Sequence, residues 1–187
     1  MSQGYTSAQS TALPLSIANG GTGQSSSTGT GALILATAPT ISQPNIVGVT
    51  TNSNATAGSL GEYVEVILSS GSAVSMTSGS TINVTSMSLT AGDWDVYGVF
   101  AGNSNGNVIG YWRAGSSTTS GAFTTDKVSQ LSPVVASAAP VFAADYIIPV
   151  PENRVNVSTA TTVYLVANSS SGGTTLVYGS LMARRIR

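Results

Sequence analysis

Apolar and polar residues alternate in short stretches along the C-terminal two thirds of the chain, and turn residues separate these stretches. Tyr63–Leu68 is one such stretch. Thr81–Thr85 is another, and its pattern continues after a change of phase that predicts a β-bulge near Ser86. Alternation with a period of two is typical of β-strands, and no stretch sustains the 3.6-residue period of an amphipathic helix. The pattern therefore predicts an all-β domain.

The clearest alternation lies in the stretch 93–100. It places one set of side chains on an apolar face and another on a polar face: Trp94, Val96 and Phe100 against Asp93, Asp95 and Tyr97. The following turn, Gly102–Asn107, contains Asn105-Gly106, which is typical of a two-residue hairpin turn. We therefore expect the stretch 93–100 to pair directly with the next strand, 108–113.

Three more strands are predicted to close the chain. Their ranges are Val141–Pro149, Thr162–Ala167 and Thr174–Ile186, with a turn at Asn168–Gly173 between the last two. Many short strands at this spacing indicate an antiparallel β-sandwich or jelly roll.

Charge divides the chain into two parts. Residues 1–61 contain no charged side chain, whereas all six basic and all seven acidic residues lie between Glu62 and Arg187. This shift predicts a leader at residues 1–13, an arm at residues 14–61 and a head domain at residues 62–187. A frayed tail is an equally good interpretation of residues 1–13. The segment 50–61, rich in turn residues, is predicted to be a hinge.

Composition excludes several classes of function. A net charge of −1 provides no basic field that would hold nucleic acid. The chain has no histidine and no cysteine, which excludes zinc sites, thiol nucleophiles and Ser-His-Asp triads. No apolar run approaches the roughly 20 residues of a membrane-spanning helix, and the N-terminus does not resemble a secretory signal.

The arm concentrates glycine and apolar residues. Its motif is Asn19, Gly20, Gly21, Thr22, Gly23 and Gln24, followed by the apolar run Ala32–Thr40 and by Gln43–Ile46. Glycine at these positions permits a tight, sterically crowded turn. The motif is no phosphate-binding loop, because it lacks the Gly-Lys-Ser/Thr ending. No cofactor is therefore predicted.

These residues resemble the GGTGQ repeat of bacteriophage tail-fibre and related virion-fibre proteins. The resemblance implies a homotrimeric fibre in which three intertwined arms supply one another's missing core. The leader would attach it to capsid, collar or tail proteins, and the protein would be made in the host cytoplasm and exposed on the virion surface. The chain departs from the family in having one GGTGQ copy and a short leader.

The head is similar in layout to phage fibre-tip domains and to trimeric jelly rolls of the C1q and tumour-necrosis-factor kind. The similarity is carried by three stretches, Ala91–Tyr97, Thr162–Leu165 and Tyr178–Leu181, and by the arginine-rich end. It implies aromatic residues along a threefold axis. The candidates are Tyr97, Tyr164 and Tyr178, for which ordinary partial burial is the alternative.

Asp93 and Asp95 leave the same face of one strand, about 6.5 to 7 Å apart. That spacing suits a calcium ion or a pair of glycosidase acids, but a solvated outward face is the favoured interpretation. Neither a metal site nor an enzyme is therefore predicted. Arg184, Arg185 and Arg187 are expected to pair with Glu62, Glu65 or a neighbouring subunit, and to end the last strand in water.

The predicted function is a short trimeric virion fibre whose head adheres to a glycan or protein of the host surface. Two loops, 102–107 and 115–125, are expected to make the contacts. The candidate residues are Asn103, Asn105, Asn107, Trp112, Ser117 and Thr118. The alternative is a decoration or head-fibre protein that cements or ornaments the capsid.

Overall fold

The computed structural model describes residue 51 and residues 53–124, 127–132 and 145–187. The predicted leader, the arm as far as residue 50 and the motif 19–24 lie outside the described residues. The described part contains nine strands and no α-helix. The strands are β1 Tyr63–Leu68, β2 Val74–Met76, β3 Ile82–Leu89, β4 Gly92–Asn103, β5 Ile109–Ser117, β6 Val128–Leu131, β7 Tyr146–Val157, β8 Thr161–Ser171 and β9 Thr175–Arg185. A short 3-10 turn, Ser70–Ser72, lies between β1 and β2.

The strands form two antiparallel sheets. The first has the order β1-β9-β4-β7, with β2 also paired to β9, and the second has the order β3-β8-β5-β6. Apolar side chains from both sheets form one core, which includes Trp94, Phe100, Trp112, Leu165 and Leu181. The prediction of an all-β antiparallel sandwich is confirmed at this level.

Strand β4 bears out the predicted alternation on its inner face. Trp94, Val96 and Phe100 are fully buried, while Asp95 and Tyr97 point to the other side of the sheet. Removing these three side chains from water contributes about 1.5 to 3 kcal/mol each, so the inner face strongly fixes the register of the strand.

The predicted hairpin between the fourth and fifth strands is wrong. Asn105 and Gly106 do have positive φ, at 51° and 79°, so the tight turn itself forms. However, β4 belongs to the first sheet and β5 to the second. Both edges of β4 are already occupied, by β9 and β7, so the chain leaves the turn by crossing to the opposite sheet.

Other boundaries also differ from the sequence prediction. The irregularity in β3 lies between Asn83 and Thr85, before Ser86. Val84 and Met87 both face the core although they are three residues apart, so the change of phase is real, but the sequence pattern does not fix which residue is the extra one. The predicted turn at Asn168–Gly173 is wrong for its first four residues, because β8 continues to Ser171 and buries Ser169 completely.

Strand β7 extends well past the predicted end at Pro149. It continues through Pro151 to Val157. Proline removes a backbone donor, but β7 is the edge strand of its sheet, where the missing N–H need not face a partner strand. The predicted start at 141–144 lies outside the described residues.

Candidate interaction surfaces

Asp93, the first acid of the pair on β4, is held by two arginines. Asp93 is 3% exposed. Arg154 donates from Nε to Oδ1 at 2.8 Å and from Nη2 to Oδ2 at 2.5 Å, and Arg187 donates from Nε to Oδ2 at 2.9 Å. The expectation of a solvated face is therefore wrong for Asp93, because two guanidinium groups cover it.

These contacts lower the pKa of Asp93 to about 2. The hydrogen bond from Arg154 is the largest cause, burial opposes it, and the hydrogen bond from Arg187 adds to it. A glycosidase general acid needs a raised pKa, so the chemistry of Asp93 is opposite to that role. Within the described ranges, no group of three or more acidic residues, histidines or cysteines is arranged to hold a metal ion.

Arg185 connects the two ends of the described domain. Its Nε donates to Oε2 of Glu62 at 2.9 Å, its other nitrogens donate to Ala91 O and Thr90 Oγ1, and its guanidinium lies 4.3 Å from the ring of Trp94. The predicted pairing with Glu62 is confirmed. The expectation that the arginines end the strand in water is wrong for Arg185, which is 3% exposed.

The segment predicted as a hinge is hydrogen-bonded to this end of the sandwich. The side chain of Asn54 accepts from Tyr63 N at 2.9 Å and donates to Tyr63 O at 2.6 Å. The backbone N–H of Gly58 donates to Glu62 Oε2 at 2.8 Å and is the main cause of the lowered pKa of Glu62. Asn54 thus occupies part of the open edge of β1, as a neighbouring strand would.

The three candidate tyrosines do not share a surface. Tyr97 and Tyr178 lie on the outer face of the first sheet, whereas Tyr164 lies on the outer face of the second. Tyr178 donates its hydroxyl to Asp145, which also accepts from Asn103 at 2.6 Å. Only Tyr97 and Tyr178 can therefore line a common axis.

The outer face of the first sheet carries an apolar groove of about 240 Å³ beside Tyr178. Its walls come from all four main strands of the sheet: Ile67 lies on β1, Val99 and Ala101 lie on β4, Ile147 lies on β7 and Tyr178 lies on β9. Ile67 is 66% exposed and Ile147 is 69% exposed. Large aliphatic side chains at this exposure, grouped on one face, are typical of surfaces that contact other molecules. We call this surface the apolar face.

The side chains of the asparagine-rich turn, residues 102–107, form hydrogen bonds within the turn and with the neighbouring backbone. Asn103 Oδ1 accepts from Asn105 N at 2.8 Å, and Asn107 Nδ2 donates to Ser104 O at 3.0 Å and to Thr174 O at 2.8 Å. The side chains of Asn103 and Asn107 therefore shape the turn.

Two other candidates for receptor contact are inaccessible. Trp112 is fully buried, with its ring 5.3 Å from that of Tyr146. Ser117 is 1% exposed and binds Thr119 and Thr124. The prediction for these two residues is wrong for different reasons: Trp112 faces the core between the two sheets, whereas Ser117 is covered by the loop that follows β5. Thr118 is exposed.

Thr118 contributes to a polar cleft that sequence reasoning missed. The cleft measures about 380 Å³ and lies between the loop after β5 and strand β7. On the β7 side it is lined by Asn153, Arg154 and Asn156. The one sequence feature that points to this cleft is the run of polar residues after Pro151. The predicted strand ends at Pro149, so this run had no structural assignment.

No helix in the described ranges has the length and hydrophobicity to cross a membrane. No protein-family model matches the chain, and no curated protein matches it. Among solved structures, the chain is similar to the infectious bursal disease virus VP2 subviral particle, at a TM-score of 0.42 and 14% identity over 80% of this chain. It is also similar to the structure of the Gx strain of that virus, at a TM-score of 0.40 and 15% identity over 76% of this chain.

The chain spans 38% of the length of the first of these structures and 37% of the second. At such TM-scores and identities the likeness carries no conclusion about function.

Proposed function

We propose that this protein is a structural component of a bacteriophage virion: a short homotrimeric fibre that presents its β-sandwich for adhesion to the host surface. The resemblance of the arm motif to the GGTGQ repeat supports the virion class. Three heads on one stalk would multiply weak contacts with surface molecules through effective concentration.

The observation that carries the assembly proposal is the apolar face. Its aliphatic centre would be covered by a second copy of the chain. The outer side of the first sheet also bears charges of both signs: Asp95 on β4 is the cross-strand neighbour of Arg184 on β9 and of Arg154 on β7. A second copy can therefore supply complementary charges around an apolar centre, as protein interfaces commonly do.

The assembly test compares the native mass of the full chain with that of an Ile147→Asp variant. We expect a trimer for the parent chain and loss of trimer for the variant, because a carboxylate would be buried without a partner. The control is Thr162→Asp, which places the same charge at an exposed position on the second sheet. A parent chain that is monomeric, or a trimer that survives Ile147→Asp, contradicts the role of the apolar face.

Imaging of whole virions tests the biological role. Copies at a tail or collar vertex support a fibre, whereas copies spread over the capsid lattice support the alternative of a decoration or head-fibre protein. Absence of the chain from purified virions contradicts both.

A further inference from the structure

The polar cleft has the dimensions of a ligand site. Its volume of about 380 Å³ lies within the range of small-molecule pockets. Hydroxyl, amide and guanidinium groups converge on it from two sides. The polar side chains that line it are Thr118, Thr124, Asn153, Arg154, Asn156 and Thr161.

The wall contributed by the loop after β5 is anchored at several points. Ser117 Oγ accepts from Thr119 N at 3.0 Å and lies 3.1 Å from Thr124 Oγ1. Asn83 holds the middle of the loop, since it donates to Ser120 Oγ at 2.7 Å and accepts from Gly121 N at 2.8 Å. An anchored wall loses little conformational entropy when a ligand binds.

The opposite wall offers polar groups that the fold does not use. The side chains of Asn153 and Asn156 form no hydrogen bond with any described residue, in contrast to those of Asn103 and Asn107. Strand β7 is also an edge strand, so part of its backbone N–H and C=O groups face away from β4. These donors and acceptors suit a ligand with several hydroxyl groups.

Arg154 adds a fixed cation to the cleft. Asp93 engages its Nε and Nη2, so Nη1 has no bond to that carboxylate, and the side chain remains 53% exposed. Asp93 is shared with Arg187, so two guanidinium groups face this one carboxylate, and Asp95, the cross-strand neighbour of Arg154, lies outside the lining of the cleft. None of the described residues that line the cleft is acidic. The cleft therefore favours an anionic group, and a guanidinium matches the planar geometry of a carboxylate.

We propose that this cleft binds a carboxylate-bearing sugar, with the acid on Arg154 and the hydroxyl groups on Asn153, Asn156 and the threonines across the cleft. A carboxylate-bearing sugar would be the ligand class that the proposed adhesion role uses. The proposal depends on that role only for its biological significance. Binding of an acidic sugar is measured on the isolated protein, whereas the virion role is tested by imaging. Either proposal can therefore be contradicted while the other is supported.

The test is a titration of the full-length protein with D-glucuronate and with D-glucose, followed by the NMR signals of the side-chain amides of Asn153 and Asn156. The two probes differ only at C6, which is a carboxylate in glucuronate and a hydroxymethyl group in glucose. We expect glucuronate to shift these signals and to bind at least about tenfold more tightly than glucose, and added salt to weaken it. Equal binding of the two sugars, or no binding of glucuronate at tens of millimolar, overturns the proposal.

Two variants locate the site. Arg154→Gln should bring glucuronate affinity down to that of glucose. Because Arg154 also holds Asp93, Asn156→Ala provides a second variant at a side chain that takes no part in the fold, and we expect it to weaken glucuronate binding several-fold. Thr162→Ala, at an exposed residue that does not line the cleft, should bind as the parent does. Unchanged affinity in Asn156→Ala and Arg154→Gln overturns the assignment.

Discussion

Arg154 binds the carboxylate of Asp93 through two hydrogen bonds, from Nε to Oδ1 and from Nη2 to Oδ2. The pair joins the edge strand β7 to β4, and Arg187 at the end of the chain binds the same carboxylate. One buried acid thus fixes both an edge strand and the C-terminus. It also sets the position of the guanidinium in the polar cleft.

The Asp93 cluster predicts a specific dependence of stability on pH. The pKa of Asp93 is about 2 in the folded protein against an ordinary value of 3.8. A lowered folded pKa means that the contribution is complete above the unfolded value and is lost as the pH falls towards the folded value. We expect the free energy of unfolding to fall between about pH 4 and pH 2, as measured by urea unfolding at each pH.

Asp93→Asn isolates this contribution. The variant should be less stable than the parent at pH 7, because Arg154 and Arg187 lose their anionic partner. The difference should shrink as the pH falls towards 2, where the parent also becomes protonated. A constant difference across this range would show that the charge of Asp93 does not contribute.

Glu62→Gln tests the buried contact with Arg185. Arg185 is 3% exposed and Glu62 is 8% exposed, so the substitution leaves an arginine buried without its counter-charge. We expect a loss of about 3 kcal/mol in the free energy of unfolding, measured by denaturant titration. Glu65→Gln changes the same chemical group at an exposed position of β1 and should change stability by less than about 0.5 kcal/mol. Equal effects at both positions would contradict the role of burial.

Gly179→Ala tests the closest backbone approach within the first sheet. Gly179 has a φ of 152°, and a Cβ there would lie 2.1 Å from the carbonyl oxygen of Val99. One strand must move, so we expect a loss of about 3 kcal/mol or more in thermal or chemical unfolding. Gly71→Ala is the matched control, because nothing lies within 4 Å of its added Cβ. A neutral Gly179→Ala would contradict the tight pairing of β9 with β4.

Asn54→Ala tests whether the segment before β1 is fixed to the sandwich. The substitution removes both side-chain hydrogen bonds to the backbone of Tyr63. We expect stability to fall by about 1 kcal/mol and hydrogen exchange at the Tyr63 amide to speed up. Ser53→Ala should leave that amide unchanged, because the Ser53 side chain forms its hydrogen bond with Thr51 and none with Tyr63 among the described residues. Unaltered exchange in Asn54→Ala would show that the edge is protected in another way.

The sequence by itself determined the features that depend on neighbouring residues. The bounds of β1 and the inner face of β4, with Trp94, Val96 and Phe100, follow from a period of two, because successive side chains leave opposite faces of a strand. The tight turn at Asn105-Gly106 follows from local backbone preferences in the same way.

Only the tertiary structure decided which strands pair and which polar residues are used. The turn after β4 leads to a second sheet because β9, from the far end of the chain, already occupies the edge that a hairpin would need. Burial of Asp93 under Arg154, and the cleft between β7 and the loop after β5, likewise join residues distant in sequence. Periodicity describes one strand at a time, whereas pairing, burial and clefts depend on the free energy of packing many strands together.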